Sequence, residues 1–386
     1  MEKVGILRGP SLNPYEGQYF EKLKKFGFQP VGIATFDAVY NPLEMHFPVR
    51  TGHSYSTLTK GKFRYLLHVL ASVTKYDFRA YNYFFWDLKS LTADLSIIHS
   101  ADTWYPYTYQ AVKTKVPTVV TEWETIPFNH NRLPFSRIQR FCRENVAHFV
   151  AITEKAKKSL LIEGVHPNQI SVVPAGIDCD RFQPAGKEPE LIKEFGISKD
   201  SFKILFVGGL ISRKGIFFLL DAFSTLLKSN NNIQLIVVGS GSPKVRAQIA
   251  KQISDNKMGS KVRFLGRIGY SLMPKIHNLA DAFCLPSVST EDWEEQFGFS
   301  IVEAMACAKP VVSTFSGSIP EIVRDHSTGL LVKPSDAFAI KSALETLIAD
   351  EKTRKTLGKN GRQWVLQRFE ANKVANQLAD IYRNCL

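Results

Sequence analysis

The sequence predicts an α/β protein made of two doubly wound parallel-sheet units in tandem, on three observations. Short β-branched runs alternate with longer helical patterns, which is how a parallel sheet covered by helices reads. The alternation starts afresh near residue 203. The chain has 386 residues, enough for two domains of roughly 100–200 residues each.

In chain order, the expected strands of the first unit lie at residues 3–7, 95–99, 116–122, 148–153 and 170–174. Helical stretches near 17–26, 105–113, 136–146 and 154–163 separate them. The second unit opens with a strand at 203–207. A helix over 215–228 follows, with Phe218, Leu219, Ala222, Phe223 and Leu226 on one apolar face. Further strands are expected at 233–238, 262–265, 282–285, 310–313 and 329–332. Pro184, Gly186 and Pro189 interrupt the pattern and place the join there, giving domains 1–184 and 185–370. A last helix within 371–386 is expected to return to the first domain. In open α/β sheets ligands sit beyond the carboxyl ends of the strands, so two such units imply one interdomain cleft.

Composition narrows the function. With 44% hydrophobic and 22% charged residues, the chain is neither disordered, collagen-like nor a disulfide scaffold. Its formal charge of +13 favours anionic partners: nucleotides, acidic lipid headgroups or nucleic acid. The five cysteines contain no Cys-x-x-Cys pair, which fits reduced thiols in a cytosol. No run of about 18 apolar residues suggests a membrane-spanning helix, and the apolar stretch at 4–7 is too short for a signal-peptide core.

Two segments carry chemistry. In Val207-Gly208-Gly209-Leu210-Ile211-Ser212-Arg213-Lys214-Gly215 a strand ends in paired glycines before a helix opens. Glycines admit a ligand to the backbone, a helix N-terminus favours an anion, and Arg213 and Lys214 add two positive charges. A diphosphate cradle is the functional reading; an ordinary strand–turn–helix with solvated bases is the bland one. The Gly-Lys-Ser/Thr ending of a P-loop is missing. In Glu295-Gln296-Phe297-Gly298-Phe299-Ser300-Ile301-Val302-Glu303 two carboxylates flank a loop-to-helix junction. Eight helical steps would leave them roughly 80° apart, so a loop placement of Glu295 lets each meet a different part of one ligand. Glu303 lies in an apolar run, where a carboxylate is partnered rather than idle. Asp178-Cys179-Asp180 is a conceivable divalent-cation pair, but two cations already await the phosphates, and a metal-independent protein without a bound cofactor is expected.

These two segments, with Pro310-Val311-Val312, Gly317-Ser318-Ile319-Pro320-Glu321 and Thr328-Gly329-Leu330, resemble the retaining GT-B glycosyltransferases of family 4. The resemblance covers roughly residues 170–350, and Ala175-Gly176-Ile177-Asp178 is similar to that family's interdomain crossing. It implies two Rossmann-like domains and a nucleotide-sugar donor, with Arg213 and Lys214 on the diphosphate, Glu303 on the ribose and Glu295 on the sugar. Gly208 and Gly209 would lie by the phosphates, Gly266 and Arg267 near the base, and Phe297, Gly298 and Phe299 at the donor. It further implies hexosyl transfer to an acceptor hydroxyl with retention, without a metal. Three departures stand out. Gly209 replaces a common Arg. Trp123 stands where a His is usual, so Glu122, Glu124 or His99 is the candidate to stand in. Glu16-Gly17 replaces a glycine pair, with Gly17 the remaining point of close approach.

Residues 60–89 interleave six bases with aromatics such as Tyr81, Tyr83, Phe84, Phe85 and Trp86. Such a stretch suits an acidic membrane surface and a lipid-linked or cell-envelope glycan acceptor; the bland reading is a core with a solvated basic face. The expected location is cytoplasmic, at the inner membrane face. The rival readings are a nucleotide-sugar-binding partner without catalysis, motivated by Trp123, and a nucleic-acid binder. The latter rests only on charge and leaves the two glutamates unexplained, so no nucleic-acid partner is expected.

Overall fold

The computed structural model describes residues 1–54 and 83–386; most of the basic, aromatic stretch at 60–89 lies outside the described residues. Two compact units emerge, one formed by residues 1–176 with 371–386 and the other by 177–370.

The first unit contains β1 (Glu2–Gly9), β2 (Phe28–Thr35), β3 (Val49–Gly52), β4 (Ile97–Ala101), β5 (Thr118–Glu122), β6 (His148–Ala151) and β7 (Ile170–Val172). All pair in parallel, in the order β3-β2-β1-β4-β5-β6-β7. Leu7, Val31, Ile33 and Ile98 from these strands are buried with Tyr107 and Phe85 in one cluster. The sequence reading did not name β2. It carries Pro30 and Gly32, both of which weaken a strand pattern. At Gly32 the missing side chain makes room for Leu12, whose Cδ2 would lie 2.9 Å from a Cβ there.

The second unit holds β8 (Phe202–Val207), β9 (Ile233–Val238), β10 (Val262–Gly266), β11 (Ala282–Leu285), β12 (Val311–Thr314) and β13 (Leu330–Val332). These are also all parallel, ordered β10-β9-β8-β11-β12-β13. All six residues of β9 are buried, because helices cover both faces of a parallel sheet. In each unit the winding reverses beside the first strand, between β1 and β4 and between β8 and β11. Those reversals are where open α/β sheets leave a crevice at the strands' carboxyl ends.

The chain changes unit after Gly176, eight residues before the join expected at 184. The reason is Arg362, whose guanidinium donates to the carbonyls of Phe182 (2.5 Å), Ala306 (2.7 Å) and Cys179 (3.1 Å). That anchors 177–184 to the second unit. The helix Ala371–Cys385 belongs to the first unit. It packs on the helix Pro14–Glu21 and the turn Lys22–Phe26, burying Val374, Leu378 and Tyr382. No helix among the described residues is long and apolar enough to cross a membrane.

Candidate functional site

At the carboxyl end of β8 the chain runs through Gly208 and Gly209 into a short turn, Ser212–Lys214, before the helix Ile216–Ser229. Gly215 makes this turn possible. Its φ is +73°, and a Cβ there would meet the Pro286 carbonyl oxygen at 1.8 Å. The turn therefore lies against the segment that follows β11, and Val288 N–H donates to the Arg213 carbonyl at 2.8 Å.

That contact brings the two motifs together. Lys214 Nζ donates to Glu295 Oε1 at 2.9 Å and Oε2 at 2.6 Å, and Ser287 Oγ donates to Oε2 at 2.7 Å. Glu295 is only 5% exposed, so its charge depends on these partners. Arg213 is exposed, with its guanidinium 4.4 Å from the Trp293 ring; Lys214 Nζ lies 4.9 Å from the same ring. Trp293 thus holds both cations by its π-face. The sequence reading missed Trp293 and Ser287. An aromatic two positions before Glu295 in an acidic loop was a usable signal for the first, whereas nothing local marks the second. Glu295 sits in a loop, as expected, held by Gly317: a Cβ there would lie 2.2 Å from the Glu295 carbonyl oxygen. Ser318 N–H donates to that oxygen at 2.8 Å.

Glu303 lies within the helix Phe299–Ala306, which opens at Gly298 (φ +81°) without a side-chain cap. It is buried and does have partners, accepting from Tyr270 Oη at 2.9 Å and bonding His277 Nε2 at 3.1 Å. Gly266 ends β10 and Arg267 follows it, both exposed, and the loop after them delivers Tyr270. The Phe297 ring is core, edge-on to Phe299 and Phe369 at 5.2 and 5.8 Å, so only its backbone can face a ligand. Asp178, raised as a cation ligand, accepts from the N–H groups of Asp180 (3.1 Å) and Arg181 (3.3 Å) and so closes its own turn. Among the described residues no His, Cys, Asp or Glu cluster could hold a metal ion.

The N-terminal candidates belong to the first unit. His99 is fully buried, with Nδ1 against Tyr382 Oη and Nε2 2.5 Å from Thr121 Oγ1. Neither ring nitrogen is left for a ligand, so His99 is a joint between β4 and the last helix rather than a stand-in contact. Burial, then the nearby Arg8 charge, hold it neutral. Gly17 lies inside the first helix, where a Cβ would meet Met45 Cε at 2.4 Å. The missing side chain there makes room for Met45. Glu124 accepts from the N–H groups of Thr125 and Ile126 and from Asn129 Nδ2. Burial raises its carboxyl, but His130, Asn129 and Ile126 outweigh this and keep it low. Trp123 is half-buried, and its N–H donates to Asp102 Oδ1 at 2.8 Å.

Asp102 and Glu122 face each other at the ends of β4 and β5. Burial chiefly, then neighbouring carboxylates, push Asp102 to about 6 and Glu122 well above the usual range. A carboxyl raised on folding stabilises the protein below its unfolded value and loses that contribution as pH rises through its folded value. The pair's contribution is therefore present near pH 4 and is lost as pH rises, through about 6 for Asp102 and higher for Glu122. Glu122→Gln should flatten the fall in melting temperature between pH 4.5 and 7; an unchanged slope would remove the pair as its cause.

Comparison with known proteins agrees with this architecture. The profile of "Glycosyl transferases group 1" matches residues 187–364, and that of "Glycosyltransferase Family 4" matches residues 50–181. The chain is 29% identical over 217 residues to a GDP-mannose-dependent alpha-(1-6)-phosphatidylinositol monomannoside mannosyltransferase of Mycobacterium tuberculosis, covering 55% of this chain and 56% of that protein. A monoacylated-substrate counterpart from Corynebacterium glutamicum is 31% identical over 226 residues, 57% of this chain and 58% of its own length. The chain thus aligns with little more than half the length of these relatives. In fold it is similar over its whole length to Anabaena Alr3699/HepE, solved with UDP and glucose (TM-score 0.78, 19% identity, 100% of each chain). It is likewise similar to a sucrose-phosphate synthase from Thermosynechococcus elongatus (TM-score 0.73, 20% identity, 100% of this chain and 99% of that one). With the two profiles matching residues 50–181 and 187–364 in succession and both sheets wound in Rossmann order, the chain belongs to glycosyltransferase family 4 and has the GT-B fold.

Proposed function

We propose that the protein is a retaining glycosyltransferase that moves a hexose-type sugar from a nucleoside diphosphate donor to an acceptor hydroxyl. The observation that carries this reading is the meeting of Arg213, Lys214 and Glu295 at the carboxyl ends of β8 and β11. There a dianionic leaving group finds two cations, and a buried carboxylate can accept from a sugar hydroxyl. Glu303 takes the ribose. Tyr270 and His277 orient it, and a carboxylate with about four lone-pair sites keeps capacity for two further hydroxyls.

In this reaction the bond from the anomeric carbon to the leaving phosphate oxygen breaks as the acceptor oxygen bonds the same face. The acceptor proton passes to the departing diphosphate. Arg213 and Lys214 hold the charge that develops there, a preorganised electrostatic role that needs no metal ion. Lys214 must shift part of its bonding from Glu295 to the phosphate, freeing Glu295 for the sugar. The acceptor belongs to the class of glycans or lipid-linked glycans, and is reached at the inner membrane face; the mannosyltransferase relatives, named for phosphatidylinositol monomannoside, support a lipid-linked acceptor.

A thermal-shift screen against nucleoside diphosphate sugars tests this reading. Donor at about 100 times its Kd should stabilise the protein by roughly 2.7 kcal/mol, and the stabilising donor should be consumed with an axial-to-axial or equatorial-to-equatorial product. Neither stabilisation nor slow donor hydrolysis across the panel would reject it.

A further inference from the structure

The second unit carries another charged recess, at the opposite end of its strands from the site above. It is a pocket of about 430 Å³ at the amino ends of β8, β9 and β11, with Lys187, Lys199, Lys203 and Arg354 against two carboxylates, Asp200 and Asp281. The volume is in the range of small-molecule sites, about 300–1,000 Å³. We propose that this pocket binds a small phosphate-bearing molecule, an anion separate from the sugar donor.

Lys203 is the main reason. Its side chain is almost wholly buried, and its ammonium donates to two backbone carbonyls, Lys199 O at 2.9 Å and Ser201 O at 2.7 Å. Among the described residues no carboxylate bonds it. Asp281, the acid beside it, is taken up by Lys187 Nζ at 2.5 Å and by the backbone N–H of Lys203 at 2.9 Å. A buried ammonium without a bonded counter-ion is costly, and burial followed by the charge of Lys187 pulls its proton affinity down. An anion in the pocket supplies the missing counter-charge.

A second orphan lies beside it: Ser201 Oγ is buried and has no hydrogen-bond partner among the described residues. Phosphate oxygens accept from hydroxyls as well as from ammonium groups. Arg354 closes the far side, with Nη1 fixed on the Leu347 carbonyl at 2.6 Å and the guanidinium 5.3 Å from the Phe202 ring. A guanidinium held by one nitrogen and by an aromatic face presents its remaining donors in a fixed direction. Four cations against two carboxylates give a net charge of +2, which matches a phosphate monoester.

The test is titration of the whole protein with inorganic phosphate at constant ionic strength, followed by 31P NMR, in wild type and two double variants. Lys187→Met with Arg354→Ala should weaken phosphate binding roughly tenfold or more, the scale of losing one or two charge-assisted bonds. Arg213→Ala with Lys214→Ala should leave this binding within about threefold while abolishing sugar transfer, so the two sites fail separately. Lys187→Met alone serves if the Arg354 substitution prevents folding, and should also weaken binding. The reverse pattern, or no saturable binding in wild type, overturns the proposal. Sedimentation with phosphatidylglycerol vesicles that is lost in Lys187→Met/Arg354→Ala, without phosphate binding, overturns the small-molecule assignment.

Discussion

Replacing Lys214 by alanine is expected to lower turnover by roughly 10²–10³-fold, the scale seen when one preorganised donor to a developing anion is removed. Removing Arg213 as well should bring transfer close to the uncatalysed background. The structure adds a complication that the residue order does not show. Lys214 is also the cation on a buried carboxylate, at 2.6 Å from Glu295 Oε2. Breaking such a pair from one side costs about 3–5 kcal/mol, so Lys214→Ala should both slow the enzyme and lower its melting temperature. A double-mutant cycle separates the two effects. In Lys214→Ala/Glu295→Gln the buried charge is gone and the Ser287 hydroxyl keeps a partner, so most of the lost stability should return while turnover stays low. Near-normal turnover in a folded Arg213→Ala/Lys214→Ala protein would sink the assignment of this site.

The second large effect is expected at a residue that touches no ligand. Gly317→Ala puts a methyl group 2.2 Å from the Glu295 carbonyl oxygen and 2.7 Å from its nitrogen, at a φ of +57°. The left-handed conformation alone costs a non-glycine residue about 1–2 kcal/mol. Because the clash is with main chain, it cannot be relieved by a rotamer change, and the Glu295 loop must move. A total of about 3–5 kcal/mol corresponds to a drop in melting temperature on the order of 10 °C for a unit of this size. Turnover should fall with it, since the Ser318–Glu295 backbone bond of 2.8 Å holds Glu295 under Lys214. Calorimetry showing a change within about 2 °C would mean the close approach is absent in solution.

Both expectations depend on contacts between residues far apart in the chain. Lys214 and Glu295 are 81 positions apart, and each motif could be read separately because its chemistry is local: glycines before a helix, bases in a turn, a carboxylate within an apolar run. The meeting of the two motifs comes from the strand order, which sets β8 beside β11 and so puts the loops after them side by side. Ser287 carries no local mark, since a serine after a strand is unexceptional. His99 misled for a related reason. A histidine at the end of a first-unit strand looks available until the last helix returns, 283 positions later, and brings Tyr382 onto its ring.

By itself the sequence determined the α/β class, the two tandem units, most of the strands and the two charged motifs, because period, composition and local charge are written in neighbouring residues. It did not show β2, where Pro30 and Gly32 mask a strand that is stabilised by its neighbours on both sides. Nor could it place the change of unit, which depends on Arg362 reaching back some 180 positions to hold residues 179–182. Only the tertiary structure decided which charges are paired. Burial makes an ion pair matter, and burial is a property of the packed chain, so Glu295, Glu303 and Lys203 acquired their roles only when distant strands closed around them.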